Sequence, residues 1–458
     1  MLQSETVKKY DTYKDSGIEW IGEIPQEWCI RKIKTVSDIC GRIGFKGYTV
    51  NDLVDSDTNG AAIVLGGTNI MKDGYISYEH LTYISEFKYL ESPEIMLHGG
   101  EILITKVGAG TGENAIYDYF QDRVTINPNV MLCKPENIVN SKFLNYFLLS
   151  PNTKNEIYLE SNKSGAQPAI NQNYIKNLYM TFPTIEEQQQ IAGYLDKKCG
   201  EIDRVVETEK AVIEKLKEYK QSIITEAVTK GLDKSAPLKD SGIEWIGKIP
   251  QHWDLMPLKF ALNQRFEKND PVQTEERLSL SIGLGVTLYS EKTTNLDRYK
   301  DDCSQYKLAY PDDLVINSMN VIVGAVGISK YFGCVSPAYY VLYSSDENKF
   351  KTEFFDYLFK TSTIRKFLFS IGKGIMAIER GNDRVNTCRL KVSAYDLGRL
   401  NFPIPSKQEQ EEICNYLDKK CSEIDKAIAD KEQVIEKFTE YKKSLIYECV
   451  TGKRKVVE

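Results

Sequence analysis

A long stretch of this chain is written twice. "LYMTFPTIEEQQQIAGYLDKKCGEIDRVVETEKAVIEKLKEYKQSIITEAVT", Leu178 to Thr229, returns without a gap as "LNFPIPSKQEQEEICNYLDKKCSEIDKAIADKEQVIEKFTEYKKSLIYECVT", Leu400 to Thr451, at an offset of 222. A shorter phrase also recurs. "YKDSGIEWIGEIPQEW" (Tyr13 to Trp28) comes back as "LKDSGIEWIGKIPQHW" (Leu238 to Trp253) at an offset of 225. Each half therefore runs phrase, variable stretch, long repeat. Two copies make a duplication, since a solenoid needs three or more stacked units.

The long repeat reads as a helix in both copies. Thr184 and Ser406 stand as N-caps with Glu187 and Glu409 three positions later, the pattern of a capping box. Pro183 and Pro405 end whatever precedes them. Roughly 45 proline-free residues follow, which at ~1.5 Å per residue give a rod of about 60 to 65 Å. Apolar residues recur every three or four positions: Leu195, Ile202, Val205, Val212, Leu216, Tyr219 and Ile223, matched by Leu417, Ile424, Ala427, Val434, Phe438, Tyr441 and Leu445. That is a pairing seam. One seam position is charged and of opposite sign in the two copies, Glu209 and Lys431. An antiparallel pairing of the two helices would bring these positions together and fix the register.

Between phrase and helix, residues 29–177 and 254–399 read as mixed, strand-rich domains. Runs such as "EILITKV" and "DLVINSM" are broken by Gly, Asn and Asp turns. The two stretches share little sequence beyond an acidic turn, a buried strand and a Gly-rich loop. The loop "VGAGTGENA" raises the question of a nucleotide or S-adenosylmethionine cradle over Gly108 to Gly112. A cradle needs a helix directly after it, and "IYDYFQDRVTINP" reads as strand, turn, strand, so a tight hairpin is expected. No P-loop, HExxH or adenine-methylating Asn/Asp-Pro-Pro-aromatic motif is present. Ten cysteines without CxxC pairs and only three histidines point away from a zinc site or disulfide framework and toward a reducing cytoplasm. No run of apolar residues is long enough to span a membrane.

The formal net charge of −6 argues against a chain coated in basic residues, but the second variable stretch carries a basic cluster. It comprises Arg365, Lys366, Lys373, Arg380, Arg384, Arg389 and Lys391 among glycines, with only Glu379 and Asp383 against them. Cations on Gly-containing loops suit phosphate contacts, and Arg, Asn and Gln read base edges. The first stretch offers the polar loops "GGTNIMKDG" and "SNKSGAQPAINQN". Candidate DNA contacts are Asn69, Lys72, Lys106, Lys163 and Gln167 in the first half. In the second they are Arg265, Asn317, Asn320, Lys373, Arg380 and Arg384.

The doubled phrase "KDSGIEWIG-IP--W", a diverged domain after it and then "P…EEQQQIAGYLDKKC-EID" resemble the DNA-specificity subunits of type I restriction–modification enzymes, over nearly the whole chain. The resemblance implies an α+β chain of two similar mixed α/β target-recognition domains separated by two long antiparallel helices, a coiled-coil spacer with pseudo-two-fold internal duplication. Its parts would be the first phrase (1–28), recognition domain 1 (29–183) and spacer helix 1 (184–231). There follow the linker and second phrase (232–253), recognition domain 2 (254–405) and spacer helix 2 with a basic tail (406–458). The resemblance further implies a non-catalytic, cytoplasmic bacterial or archaeal protein that binds no cofactor itself. Its partners would be double-stranded DNA with a bipartite target, two modification subunits that bring S-adenosylmethionine and methylate adenine, and restriction subunits that use ATP and Mg.

Two other readings remain at this stage. A methyltransferase using the Gly108–Gly112 loop would bind S-adenosylmethionine by itself. A coiled-coil adaptor indifferent to DNA would be untouched by Arg380→Ala with Arg384→Ala. The four tryptophans, Trp20, Trp28, Trp245 and Trp253, all lie in the two phrases and read as anchors that seat each domain on the helices.

Overall fold

The computed structural model describes residues 8–118, 121–164, 167–292, 302–375 and 389–456. The chain forms two compact units, one made of residues up to Lys210 together with those from Gln433, the other of Ala211–Glu432.

In the first unit the phrase folds as a short hairpin, Tyr13–Asp15 against Glu23–Pro25. A four-stranded antiparallel sheet follows, in the order Ser37–Gly41, Val130–Pro135, Glu101–Thr105, Asn114–Tyr117. Glu101–Thr105 is buried at every position, which is why "EILIT" reads as a continuous apolar run and not as an alternation. The Gly108–Gly112 loop joins two antiparallel strands of this sheet, so it is the hairpin expected and no helix follows it to form a nucleotide cradle. Two helices, Ser141–Leu149 and Pro151–Ser161, close the domain. The first is capped by Asn140, whose side chain accepts from the Phe143 N–H, and the second starts on a proline. Finally Tyr179–Phe182 pairs with Cys29–Lys32 and brings the chain back to the phrase before the long helix begins.

The second unit repeats this plan with different residues. Its phrase hairpin is Leu238–Asp240 against Lys248–Pro250. Its sheet runs Leu262–Arg265, Tyr339–Ser344, Leu314–Asn317, Val326–Ile328, the same order of first, fourth, second and third strand. Helices Thr352–Lys360 and Ser362–Ile371 follow, and Asn401–Ile404 returns to pair with Asp254–Pro257.

The long helices span Ile185–Lys230 and Lys407–Val450, 46 and 44 residues. Both end at a glycine in the left-handed region, Gly231 at φ +74° and Gly452 at φ +73°. Within each unit a stretch of one lies antiparallel to a stretch of the other. In the first, Ile191, Leu195, Cys199 and Ile202 share a core with Leu445, Ile446 and Cys449, and Lys442 Nζ reaches the two Asp203 oxygens at 2.6 and 2.8 Å. In the second, Ile224, Ala227 and Val228 meet Ile413, Cys414 and Leu417, and Lys220 Nζ holds both Asp425 oxygens at 2.7 Å. Lys220 and Lys442 are equivalent in the repeat, as are Asp203 and Asp425. The same pair thus occurs once in each unit with the helices' roles exchanged.

The seam differs from the expected one in detail. Val205 and Tyr219 are exposed, while Ile213 is buried. Val205–Val206 and Val212–Ile213 are adjacent apolar pairs, so a 3–4 spacing fits either member and only the partner's surface chooses. Among the described residues, no helix is long and apolar enough to cross a membrane.

Candidate nucleic-acid interface and its seating

In the first unit several loops converge at one end of the sheet. The Lys106 N–H donates to Asn129 O at 2.7 Å, and its carbonyl accepts from the Ile170 N–H at 2.9 Å. The Gly108 N–H donates to Pro168 O at 3.1 Å, and the Asn127 N–H to Leu65 O at 3.0 Å. These bonds bring Lys106, Asn129 and Gln167 beside the loop that starts at Gly66. Thr68, Asn129 and Gln167 are exposed there, as is Lys163 beyond them, beside Glu160 at 2.7 Å.

The second unit builds a counterpart. The Val392 N–H donates to Ser318 O at 3.0 Å, and Ser318 Oγ donates to Ala338 O at 3.0 Å. Lys373–Ile375 pairs with Arg389–Lys391, with Lys373 opposite Lys391. Asn320, Lys373 and Lys391 are exposed at this end. Lys307, half-buried nearby, is held below the usual lysine range by burial and then by the charge of Lys391, a local excess of positive charge that suits an anionic partner. Arg380 and Arg384 lie outside the described residues.

Four of the candidate contacts work or lie elsewhere. The Asn69 amide accepts from the Gly66 N–H at 2.9 Å and donates to Ser77 O and His80 O, and the residue is buried. It shapes its loop from within. Arg265 grips Asp313 with two hydrogen bonds of 2.9 and 3.0 Å, between the rings of Tyr310 and Tyr343 at 4.5 Å each. Its planar fork is thus spent inside the domain. Lys72 lines a cleft of about 820 Å³ against the long helix, with Tyr146, Lys154 and Asp196. Asn317 is buried and its side chain accepts from the Met319 N–H at 3.1 Å, bracing the turn that presents Asn320.

The phrases seat the domains. Trp28 and Trp253 are buried, and each donates its indole N–H to the glutamate near the start of a long helix, Trp28 to Glu187 at 2.9 Å and Trp253 to Glu409 at 3.2 Å. Of the two long helices, the second forms the full capping box, at Ser406 and Glu409; at Thr184 the Glu187 carboxylate serves Trp28 and Tyr10. Trp20 packs on Phe147, and Trp245 on Phe367 and Phe402. A side chain at Gly452 would collide with Pro25 at 2.3 Å, and one at Gly231 would press on Trp253 at 3.2 Å. Each phrase is therefore clasped between the start of one helix and the end of the other.

The next residue in each repeat, Gln188 or Gln410, is fully buried. Gln188 Oε1 accepts from the Asn140 N–H at 2.8 Å while its Nε2 donates to Pro183 O. Gln410 accepts from the Lys351 N–H at 2.9 Å and donates to Lys349 O and Pro405 O. Two turns further, Asp196 accepts from the Tyr146 hydroxyl at 2.9 Å, and Asp418 from the Tyr357 hydroxyl. None of these six residues was singled out from sequence. The available signal was that the glutamine and the aspartate are identical in both copies at the offset of 222.

A family model described as the type I restriction modification DNA specificity domain matches residues 25–218. The provisionally named type I restriction enzyme MjaX specificity subunit of Methanocaldococcus jannaschii is 26% identical over 95% of this chain and 96% of its own length. The MjaVIII specificity subunit of the same organism is 22% identical over 94% of each. A chain of a solved structure, described as the structural basis of complex assembly and conformational transition of the type I R-M system, superposes with a TM-score of 0.64. It is 13% identical and covers 93% of this chain and 98% of that one. Taken with the duplicated sheet, phrase and helix, these matches make the chain similar to the DNA-specificity subunits of type I restriction–modification enzymes, in sequence over residues 25–218 and in fold over nearly its whole length.

Proposed function

We propose that this chain reads a split DNA target, one half with the loop end of each unit, and contributes no catalysis of its own. One observation carries the reading: a single chain builds the same strand order twice, ending each time in a cluster of exposed polar and basic residues, Asn129, Lys163 and Gln167 in one unit and Asn320, Lys373 and Lys391 in the other. Two alike scaffolds with unlike loops suit two different short sequences. Phosphate contacts from Lys106, Lys163, Lys373 and Lys391 would set register, and Gln167, Asn129 and Asn320 would read base edges. Arg380 and Arg384 add to the second set by sequence. The methylation of an adenine in each half would belong to two modification subunits carrying S-adenosylmethionine. Cleavage would belong to restriction subunits using ATP and Mg. An adenine has to leave the stack to be methylated, so the reading loops would leave it open to those partners.

Methylation-aware sequencing of a host genome with and without this gene tests the reading. A split motif carrying methyladenine in both halves, lost with the gene, is the expected result. A continuous motif, or no motif that depends on the gene, overturns it.

A further inference from the structure

We infer that Gln188 with the Tyr146–Asp196 pair, and Gln410 with the Tyr357–Asp418 pair, are positioning residues that fix the angle of each recognition domain on its long helix, and so set how strictly half-site spacing is measured. The inference rests on the split-target reading above. Its ground is a coincidence of spacing. On the domain side the two fastened points common to both units are Asn140 and Tyr146 in one and Lys351 and Tyr357 in the other, six residues apart in both, and in the first unit Lys142 Nζ also reaches Asp196 at 2.7 Å. On the long helix they are Gln188 and Asp196, and Gln410 and Asp418, eight residues apart in both. The sequence "NSKFLNY" of the first domain helix and "KTEFFDY" of the second agree only at the phenylalanine and the final tyrosine.

A single contact point leaves a domain free to swivel, whereas two separated hydrogen-bonded points on one helix fix its direction. The surrounding core cannot do this alone. Phe143, Leu144 and Phe147 in the first unit, and Phe354, Phe355 and Leu358 in the second, bury apolar area that holds the domain down. Apolar burial is non-directional and permits sliding, while a hydrogen bond weakens steeply once its angle is lost. The reading loops belong to the same domain that this seat fastens, so a rotation at the seat displaces them.

The test uses Tyr146→Phe and Tyr357→Phe, singly and together, which keep each ring in the core and delete only the hydroxyl. The full methyltransferase assembly is offered duplexes in which the two half-sites stand at the natural spacing, one base pair closer or one base pair further apart. The parent should prefer the natural spacing. In the double variant that preference should fall about tenfold, the scale of a lost hydrogen bond to a charged group. Binding at the natural spacing should stay within about twofold, and the salt dependence should be unchanged because no phosphate contact is touched. An unaltered spacing preference, or an equal loss at every spacing, overturns the positioning role and leaves the split-target reading intact. A parent that binds no split target at all overturns that reading itself, and this inference with it.

Discussion

Glu409 illustrates how one side chain serves three neighbours. Its carboxylate accepts from Trp253 and His252 and caps Ser406. Burial works to raise its pKa, but the hydrogen bonds from His252 and Trp253 outweigh it and hold the group below the usual glutamate value. A depressed carboxylate stabilises the fold above its unfolded pKa, and that contribution disappears as pH falls through the folded value. Urea midpoints followed from neutral pH down through about pH 4 should therefore decline more steeply for the parent than for Glu409→Gln, since the unfolded glutamate titrates near 4.3. Equal slopes would show that the carboxylate's charge is not what anchors the phrase. The same scale shows where residue type misleads. Asn69 and Arg265 have the chemistry of base readers, yet their polar atoms are consumed by Ser77 and His80 carbonyls and by Asp313. Composition around a residue says what it is able to bind, while its partners in the fold decide what it does bind.

At the scale of elements, the long helices were legible from capping residues, missing prolines and a 3–4 apolar spacing, because those signals are local and repeated over many turns. The seam was legible only to within one residue, as Val205 and Ile213 show. Glu209 belongs to the first unit and Lys431 to the second. The short domain helices were less legible. Nothing local in "NSKFLNY" reports that its N-cap amide and its last tyrosine are fastened to residues some fifty positions later.

At the scale of the whole molecule, the basic stretch after Val450 resolves into a clasp. Lys453 Nζ donates to the carbonyls of Ile21 and Glu23 at 3.1 and 2.7 Å, and burial pushes that ammonium below its usual range. Arg454 pairs with Glu448 at 2.9 Å, and the Lys455 N–H donates to Lys8 O at 2.8 Å. In the second unit the corresponding path from helix end to phrase is covalent, through exposed residues 232–235. A permutant that joins residue 456 to residue 8 through a short linker and opens the chain beside Ser235 should therefore fold with a urea midpoint close to the parent's. Loss of cooperative unfolding in that permutant would mean that the 232–235 connection does more than span a gap.

The sequence by itself determined the duplication, the two long helices with their N-terminal caps, the strand-rich character of the domains and the strand-to-strand nature of the Gly108–Gly112 loop. All of these rest on interactions within a few residues, or on a pattern stated twice. Only the tertiary structure decided which seam residues face inward, which polar side chains are fasteners and which are exposed, and how a domain is fixed to its helix. Those outcomes depend on hydrogen bonds between residues far apart in the chain, such as Trp28 to Glu187 and Tyr146 to Asp196. A buried donor takes whatever acceptor the packed fold brings within about 3 Å, and no one-dimensional pattern names that partner in advance.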